Sequence, residues 1–416
     1  MLPILASLTA LLHTVIKIRG PRRFREIMSI HRRTLLQQLG FGLAGSALVP
    51  PSEAATLAKM LVDPADAASN TTAPASDNPV LLNHNVNAYG PSPMALAELR
   101  ANYSSVLRFP KQEAGALSES LAAAHKIKTD QLVLGCGSRE VMSMAARAFL
   151  GSGKKLIAAE PTFKAMSHFA DEASAQTITV PITRRSEHDL PAMLAKVDSS
   201  TGLIYICNPN NPTGTITPRK DIEEFLQRLP RTVNVLIDEA YHGYPSTSDQ
   251  YVSFIDKPVD DDGVIVTRSF SKIYGLGGLR VGYGVGSAAT IKKISGFALP
   301  QGVNVLAARA ARAALGDAAY LKDCADRNMS ERQELMNQVN ARMLRAIDSV
   351  ANFVMVNSGR QADEVIDHLR KHNVLVGPFF PSLPKYIRVT MGTSAQMAAF
   401  WRAFDMQPGH PMPMPM

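Results

Sequence analysis

Thr267-Arg268-Ser269-Phe270-Ser271-Lys272-Ile273-Tyr274-Gly275-Leu276-Gly277-Gly278-Leu279-Arg280 is the stretch on which the fold turns. The apolar run Val264–Arg268 predicts a strand that delivers two serines and a lysine into a glycine-rich turn, with an arginine closing it. A lysine amine attacks an aldehyde only where a pocket lowers its pKa and orients it. Ser269 and Arg280 offer a hydroxyl donor and a bidentate cation, the pair that a phosphate needs. The competing reading is a surface lysine beside a loop, and the neighbouring serines and arginine argue against it.

Upstream, Val235-Leu236-Ile237-Asp238-Glu239-Ala240-Tyr241 ends an apolar strand on an acid. A buried carboxylate is costly without a cationic partner, so Asp238 is either a helix N-cap or the counter-charge of a bound cation. Asn208-Pro209-Asn210-Asn211-Pro212-Thr213-Gly214 follows another strand. Its prolines and closing glycine fix a turn from which Asn211 projects. Leu134-Gly135-Cys136-Gly137-Ser138-Arg139-Glu140 is a glycine turn into a helix, whose free N–H groups suit a phosphate, although Ser138 alone could simply cap that helix.

These motifs punctuate a repeating pattern. Apolar β-rich runs at Gln131–Leu134, Lys155–Ala159, Thr177–Pro181, Gly202–Ile206, Asn234–Asp238, Val264–Arg268 and Val281–Val285 are mostly separated by helical segments such as Arg139–Leu150 and Pro218–Leu229. The alternation predicts an α/β fold: a large domain with a mainly parallel sheet covered by helices, whose ligands bind at the carboxyl ends of the strands. Beyond Leu299 come the helices Val303–Leu315 and Ala318–Leu344. Short strands follow at Phe353–Val356, Val374–Val376 and Tyr386–Val389, then a helix from Ser394, which together suit a smaller α+β domain. The expected division is 113–300 for the large domain, 78–112 with 301–406 for the small one, 1–77 for a targeting segment and linker, and 407–416 for a disordered tail.

Composition supports a folded chain of 416 residues, 46% hydrophobic. Most of the formal net charge of +8 lies before Leu36, in Lys17, Arg19, Arg22, Arg23, Arg25, Arg32 and Arg33, opposed by Glu26. A basic head on a near-neutral body points to targeting rather than to a nucleic-acid surface. The apolar run Leu2–Ile16 is shorter than the roughly 20 residues that span a bilayer. A second unit from Met28 carries Arg32-Arg33, an apolar run Leu39–Val49 and Ser52-Glu53-Ala54-Ala55. It resembles a twin-arginine export signal, which implies a periplasmic address; an amphipathic helix on a cytoplasmic protein is the alternative. Cys136, Cys207 and Cys324 show no metal-binding or paired spacing, and Cys136 and Cys207 are expected as buried thiols.

Together the motifs resemble the class I/II (fold-type I) aminotransferases, and most closely the histidinol-phosphate aminotransferase branch, from about Leu81 to Phe404. The segment Leu82-Asn83-His84-Asn85-Val86-Asn87-Ala88-Tyr89-Gly90-Pro91-Ser92-Pro93 is similar to that branch's N-terminal signature. The resemblance implies pyridoxal 5′-phosphate (PLP) as cofactor, with Lys272 as its Schiff-base lysine and proton shuttle. Asp238 would face the ring nitrogen, Asn211 and Tyr241 the ring oxygen, and Phe163 the ring face. Gly137, Ser138, Ser269 and Arg280 would hold the phosphate. Tyr89 would reach the phosphate of a neighbouring subunit, which implies a homodimer, and Arg388 would bind the substrate carboxylate or the equivalent end of a phosphorylated substrate. The implied reaction moves an amino group between an amino acid and a 2-keto acid. The rivals are a PLP decarboxylase of the threonine-phosphate type and a non-catalytic PLP-binding regulator. Two departures stand out: Val86 and Ala88 replace the usual Glu and Pro, and Gly377 stands where histidinol-phosphate enzymes tend to carry an arginine. The missing cation favours an ordinary amino acid over a phosphorylated one.

Overall fold

A computed structural model of the chain describes residues 79–245, 248, 250–255 and 262–407. The targeting segment and linker expected at 1–77, with residue 78, and residues 408–416 lie outside the described residues. Elements are numbered here in chain order: β1 (Val80–Leu82), α1 (Pro93–Asn102), α2 (Lys111–His125), β2 (Leu132–Gly135), α3 (Ser138–Phe149), β3 (Lys155–Glu160), α4 (Ala165–Glu172), β4 (Gln176–Pro181), α5 (Leu190–Leu194), β5 (Thr201–Cys207), α6 (Arg219–Arg228), β6 (Asn234–Asp238), β7 (Val264–Ser269) and β8 (Gly282–Gly286). They continue with α7 (Ala288–Ser295), α8 (Val305–Leu315), α9 (Ala318–Ala341), β9 (Arg345–Ala346), β10 (Phe353–Asn357), α10 (Ala362–Lys371), β11 (Val374–Val376), β12 (Tyr386–Thr390) and α11 (Ser394–Asp405).

All seven strand runs expected from the sequence form one sheet, in the order β2-β8-β7-β6-β5-β3-β4. Only β8 runs antiparallel to its neighbours; the other pairings are parallel. Side chains alternate between faces along a strand, so each strand feeds two cores. Ile204, Ile206, Val235, Ile237, Val264 and Val266 enter one core. Leu203, Tyr205, Cys207, Leu236 and Ile265 enter the other, where the amphipathic α3 covers them with Val141, Met142 and Ala145. Each such aliphatic side chain contributes about 1.5–3 kcal/mol on burial.

Helix α8, grouped by sequence with the smaller domain, buries Ala307, Ala308, Ala310, Ala311 and Ala314 in the first of these cores. Its Arg309 pairs with Glu98 on α1 and Glu113 on α2, at 3.0 and 3.2 Å. The smaller α+β part has its own core, built from β10, β12, α10 and α11, and it includes Leu82 of β1. There β1 pairs in parallel with β11, which joins the N-terminal segment to the C-terminal part. A bidentate pair between Arg342 and Asp405 ties the end of α9 to that of α11. Gln407, expected in a disordered tail, is buried and bonds to the Phe404 carbonyl. Of the expected buried thiols, Cys207 is buried and Cys136 is half-buried.

The residue after β6 anchors the strand ends. Glu239 accepts from Arg268 Nε at 3.0 Å, from the Ser253 hydroxyl at 2.6 Å and from the Phe254 N–H at 2.8 Å. Breaking a buried pair leaves an uncompensated charge. Glu239→Gln is therefore expected to lower unfolding stability by about 3 kcal/mol; urea unfolding measures this, and a loss under about 1 kcal/mol would show that the pair does not hold these ends together.

Candidate active site

The site begins at the carboxyl ends of β5, β6 and β7, where Cys207 lies beside Asp238 and Asp238 beside Thr267. Tyr205 pairs with Leu236, so its side chain shares a face with Asp238 one diagonal step away. The Tyr205 hydroxyl donates to Asp238 Oδ2 at 2.9 Å, while the Ala240 N–H and the Thr267 hydroxyl donate to Oδ1 at 3.1 and 3.3 Å. Every one of these donors is neutral. Burial therefore pushes the carboxyl up to about 6, with the Tyr205 hydrogen bond the largest opposing effect. A protonated ring nitrogen is the partner this carboxylate lacks, and on that observation the residues fit PLP.

Lys272 leaves the sheet just past β7. Its Nζ donates to the His84 carbonyl at 3.2 Å and lies 5.4 Å from the centre of the Tyr241 ring. Desolvation, reinforced by Arg388 and Arg280 and partly offset by Asp238, lowers its pKa to about 8. The amine is thus neutral far more often than a surface lysine.

The turn after β5 is braced by its own asparagines. Asn208 donates to the Thr217 carbonyl and accepts from its N–H, and Asn210 donates to the Pro161 carbonyl. Asn211 is left to project, and its Nδ2 donates to the Tyr241 hydroxyl at 3.2 Å. Asn85 Nδ2 donates to the same oxygen at 3.0 Å. Burial raises the Tyr241 pKa, so the phenol keeps its proton and can pass a hydrogen bond into the cavity.

At the other end, Gly137 has φ +75 and precedes α3, whose first residue, Ser138, is buried on the cavity wall. A Cβ on Gly137 would stand 2.4 Å from Arg280 Nη2, so the absence of a side chain lets the guanidinium approach the helix start. Arg280 Nη1 donates to the Ser271 hydroxyl and the Gly277 carbonyl. Free N–H groups, hydroxyls and a guanidinium make an anion seat.

Arg388, on β12, is buried. It donates through Nη1 to Asn211 Oδ1 at 2.7 Å and through Nη2 to the Asn83 carbonyl at 2.8 Å. Its guanidinium carbon lies 5.6 Å from the centres of both the Phe353 and Phe380 rings.

One cavity of about 240 Å³ gathers Ser138, Asn211, Asp238, Tyr241, Lys272 and Arg280, with Phe163, Ser269 and Arg388 also on its wall. Tyr89 is not among them: Arg327 stacks on its ring at 5.1 Å, and its carbonyl accepts from Tyr320. Tyr205, Thr267 and Asn85 take part without having been singled out in the sequence. Tyr205 sits mid-strand among apolar neighbours and reaches Asp238 only through strand register; Thr267 and Asn85 lie in quoted motifs, but their partners are 29 and 156 residues away.

A parallel sheet with a lysine, an acid and an anion seat at its carboxyl edge defines a PLP enzyme of the aminotransferase fold. The family model for aminotransferase class I and II matches residues 77–404, and the chain belongs to that family. It is 36% identical over 326 residues to histidinol-phosphate aminotransferase of Moorella thermoacetica, covering 78% of this chain and 84% of the relative. It is also 36% identical over 325 residues to histidinol-phosphate aminotransferase 2 of Pseudomonas fluorescens Pf-5, covering 78% and 87%. Histidinol-phosphate aminotransferase of Sinorhizobium meliloti, solved with PLP, superposes with a TM-score of 0.73 at 26% identity over 78% of this chain and 89% of that one. L-threonine-O-3-phosphate decarboxylase of Porphyromonas gingivalis, at 23% identity and a TM-score of 0.68, shares the fold. The chain is a PLP-dependent transaminase similar to the histidinol-phosphate aminotransferases.

Tyr205 stabilises the ionised form of Asp238, so its loss raises the carboxyl's pKa further and weakens the hold on a cationic ring. Tyr205→Phe is expected to reduce PLP affinity of the apoprotein about tenfold, the size of one hydrogen bond to a charged group. Equilibrium dialysis with PLP measures it, and unchanged affinity would remove Tyr205 from the site.

Proposed function

We propose that this transaminase uses Lys272 to hold PLP and to carry the proton that leaves the substrate α-carbon. The reading is carried by Lys272, Asp238, Asn211, Tyr241 and Arg280 lining one cavity. Asp238 would supply the negative charge that pairs with the protonated ring nitrogen, and Tyr205 orients that carboxylate. Asn211 and Tyr241, already bonded to one another, meet the ring oxygen, and Phe163 covers the ring face. Ser138, Ser269 and Arg280 hold the phosphate, with Gly137 leaving room for Arg280. When bound, PLP supplies the electron sink for the charge that develops at the substrate α-carbon. Arg388 fixes the substrate carboxylate, and its bond to Asn211 links substrate and cofactor positions.

The chain acts as a homodimer in this reading. Tyr103, Val106, Leu107 and Phe109 form an exposed apolar run, 65–83% accessible, which a second copy would cover. Tyr89 meets the partner's phosphate seat. Arg32-Arg33 and the apolar run after them support export to the periplasm.

Two outcomes check these roles. Borohydride reduction of the holoprotein, followed by peptide mass spectrometry, is expected to place the cofactor label on Lys272. Lys272→Ala should lose both the label and at least about 10³-fold in turnover; a label elsewhere contradicts the assignment. Because the neutral amine is the nucleophile and the Lys272 pKa is lowered to about 8, covalent PLP capture by apoprotein should speed up as pH rises through that value and level off above it. A rate independent of pH from 6 to 10 would contradict the lowered pKa.

A further inference from the structure

Beside the cofactor cavity lies a second one of about 560 Å³, into which Asn211 and Arg388 also face. Its far wall is apolar: Val376, Pro378, Phe379 and Phe380, opposite Phe163. Among the described residues Arg388 is its one buried cation; His84 and Lys164, also on its wall, are exposed, and water screens their charge. Arg388 is already partly engaged, with Nη1 and Nη2 donating to Asn211 and Asn83.

Gly377 explains why no other cation joins it. A Cβ on Gly377 would stand 2.9 Å from both Cβ and Nε of Arg388, and the Gly377 N–H donates to the Arg388 carbonyl at 2.8 Å. With Gly377 replaced by a larger residue, Arg388 or the backbone beside it would have to shift. The site therefore offers a single buried positive charge and an aromatic wall next to it. A phosphate monoester brings about two negative charges and three acceptor oxygens near neutral pH, more than one engaged guanidinium can neutralise. A carboxylate brings one charge in the planar form that a guanidinium matches.

We propose that the amino donor is an α-amino acid with a large apolar side chain, its carboxylate on Arg388 and its side chain against Phe379 and Phe380, and that Gly377 sets this preference. The proposal rests on the transaminase reading above.

The test is a single-turnover reaction of the holoenzyme without acceptor, with the deaminated product quantified by mass spectrometry. The donors are L-phenylalanine, L-leucine, L-alanine, L-aspartate and L-histidinol phosphate. Phenylalanine and leucine are expected to react at least tenfold more efficiently than histidinol phosphate or aspartate. Phe380→Ala should lower efficiency with phenylalanine about tenfold more than with alanine, because alanine has no side chain to lay against this wall. Gly377→Ala should weaken every carboxylate donor by displacing Arg388. A preference for histidinol phosphate, or equal losses for alanine and phenylalanine in Phe380→Ala, overturns the proposal. No product from any donor would instead defeat the transaminase reading itself.

Discussion

Two adjacent acids end strand β6, and the site depends on their being treated differently. Glu239 faces one side of the sheet and receives Arg268, Ser253 and the Phe254 N–H. Asp238 faces the other and receives only neutral donors, from Tyr205, Ala240 and Thr267. Burial holds this carboxyl at about 6 against those hydrogen bonds and the charge of Lys272, and it gains from a cation placed directly against it. The pair beside it keeps the strand ends fixed, so Asp238 need not move to meet its partner.

The remaining groups arrive from parts of the chain that the sheet does not contain. Asn83, His84 and Asn85 run across the cavity from β1, giving a carbonyl to Arg388, a carbonyl to Lys272 and an amide to Tyr241. Arg388 itself stands on β12, whose Ile387 and Val389 enter the smaller core on the opposite face. Asn211 connects the two sources, donating to Tyr241 and accepting from Arg388. A shift of the smaller part against the sheet would break these contacts together.

What the sequence disclosed follows from which interactions are local. Strands β2–β8 were visible because a sheet covered on both faces requires continuous apolar runs; every residue of β5 is buried. Asp238 and Asn211 are legible because each is a polar residue at a strand end or in a rigid turn, where burial needs a reason, and Lys272 and Arg280 because they frame a glycine-rich turn beside two serines. Tyr205 was hidden because a tyrosine in an apolar strand has an ordinary explanation, and its hydrogen bond depends on the register of β5 against β6. Helix α8 carries no directional signal in the sequence because its alanines pack against any apolar surface; in the structure Arg309 ties it to both α1 and α2.

Charge in the cavity is unequal: Arg139, Arg280, Arg388 and Lys272 line it, and among the described residues Asp238 is the one acid on its wall. Arg388 and Arg280 lower the Lys272 pKa, adding to desolvation. An anion seated on either arginine cancels part of that effect and shifts Lys272 toward its protonated form. By reciprocity, a protonated Lys272 strengthens anion binding. A phosphate at one end and a carboxylate at the other thus do more than position their molecules. Each filled seat raises the proton affinity of the amine between them, so the lysine is most nucleophilic while the seats are empty and better able to retain a proton once they are occupied.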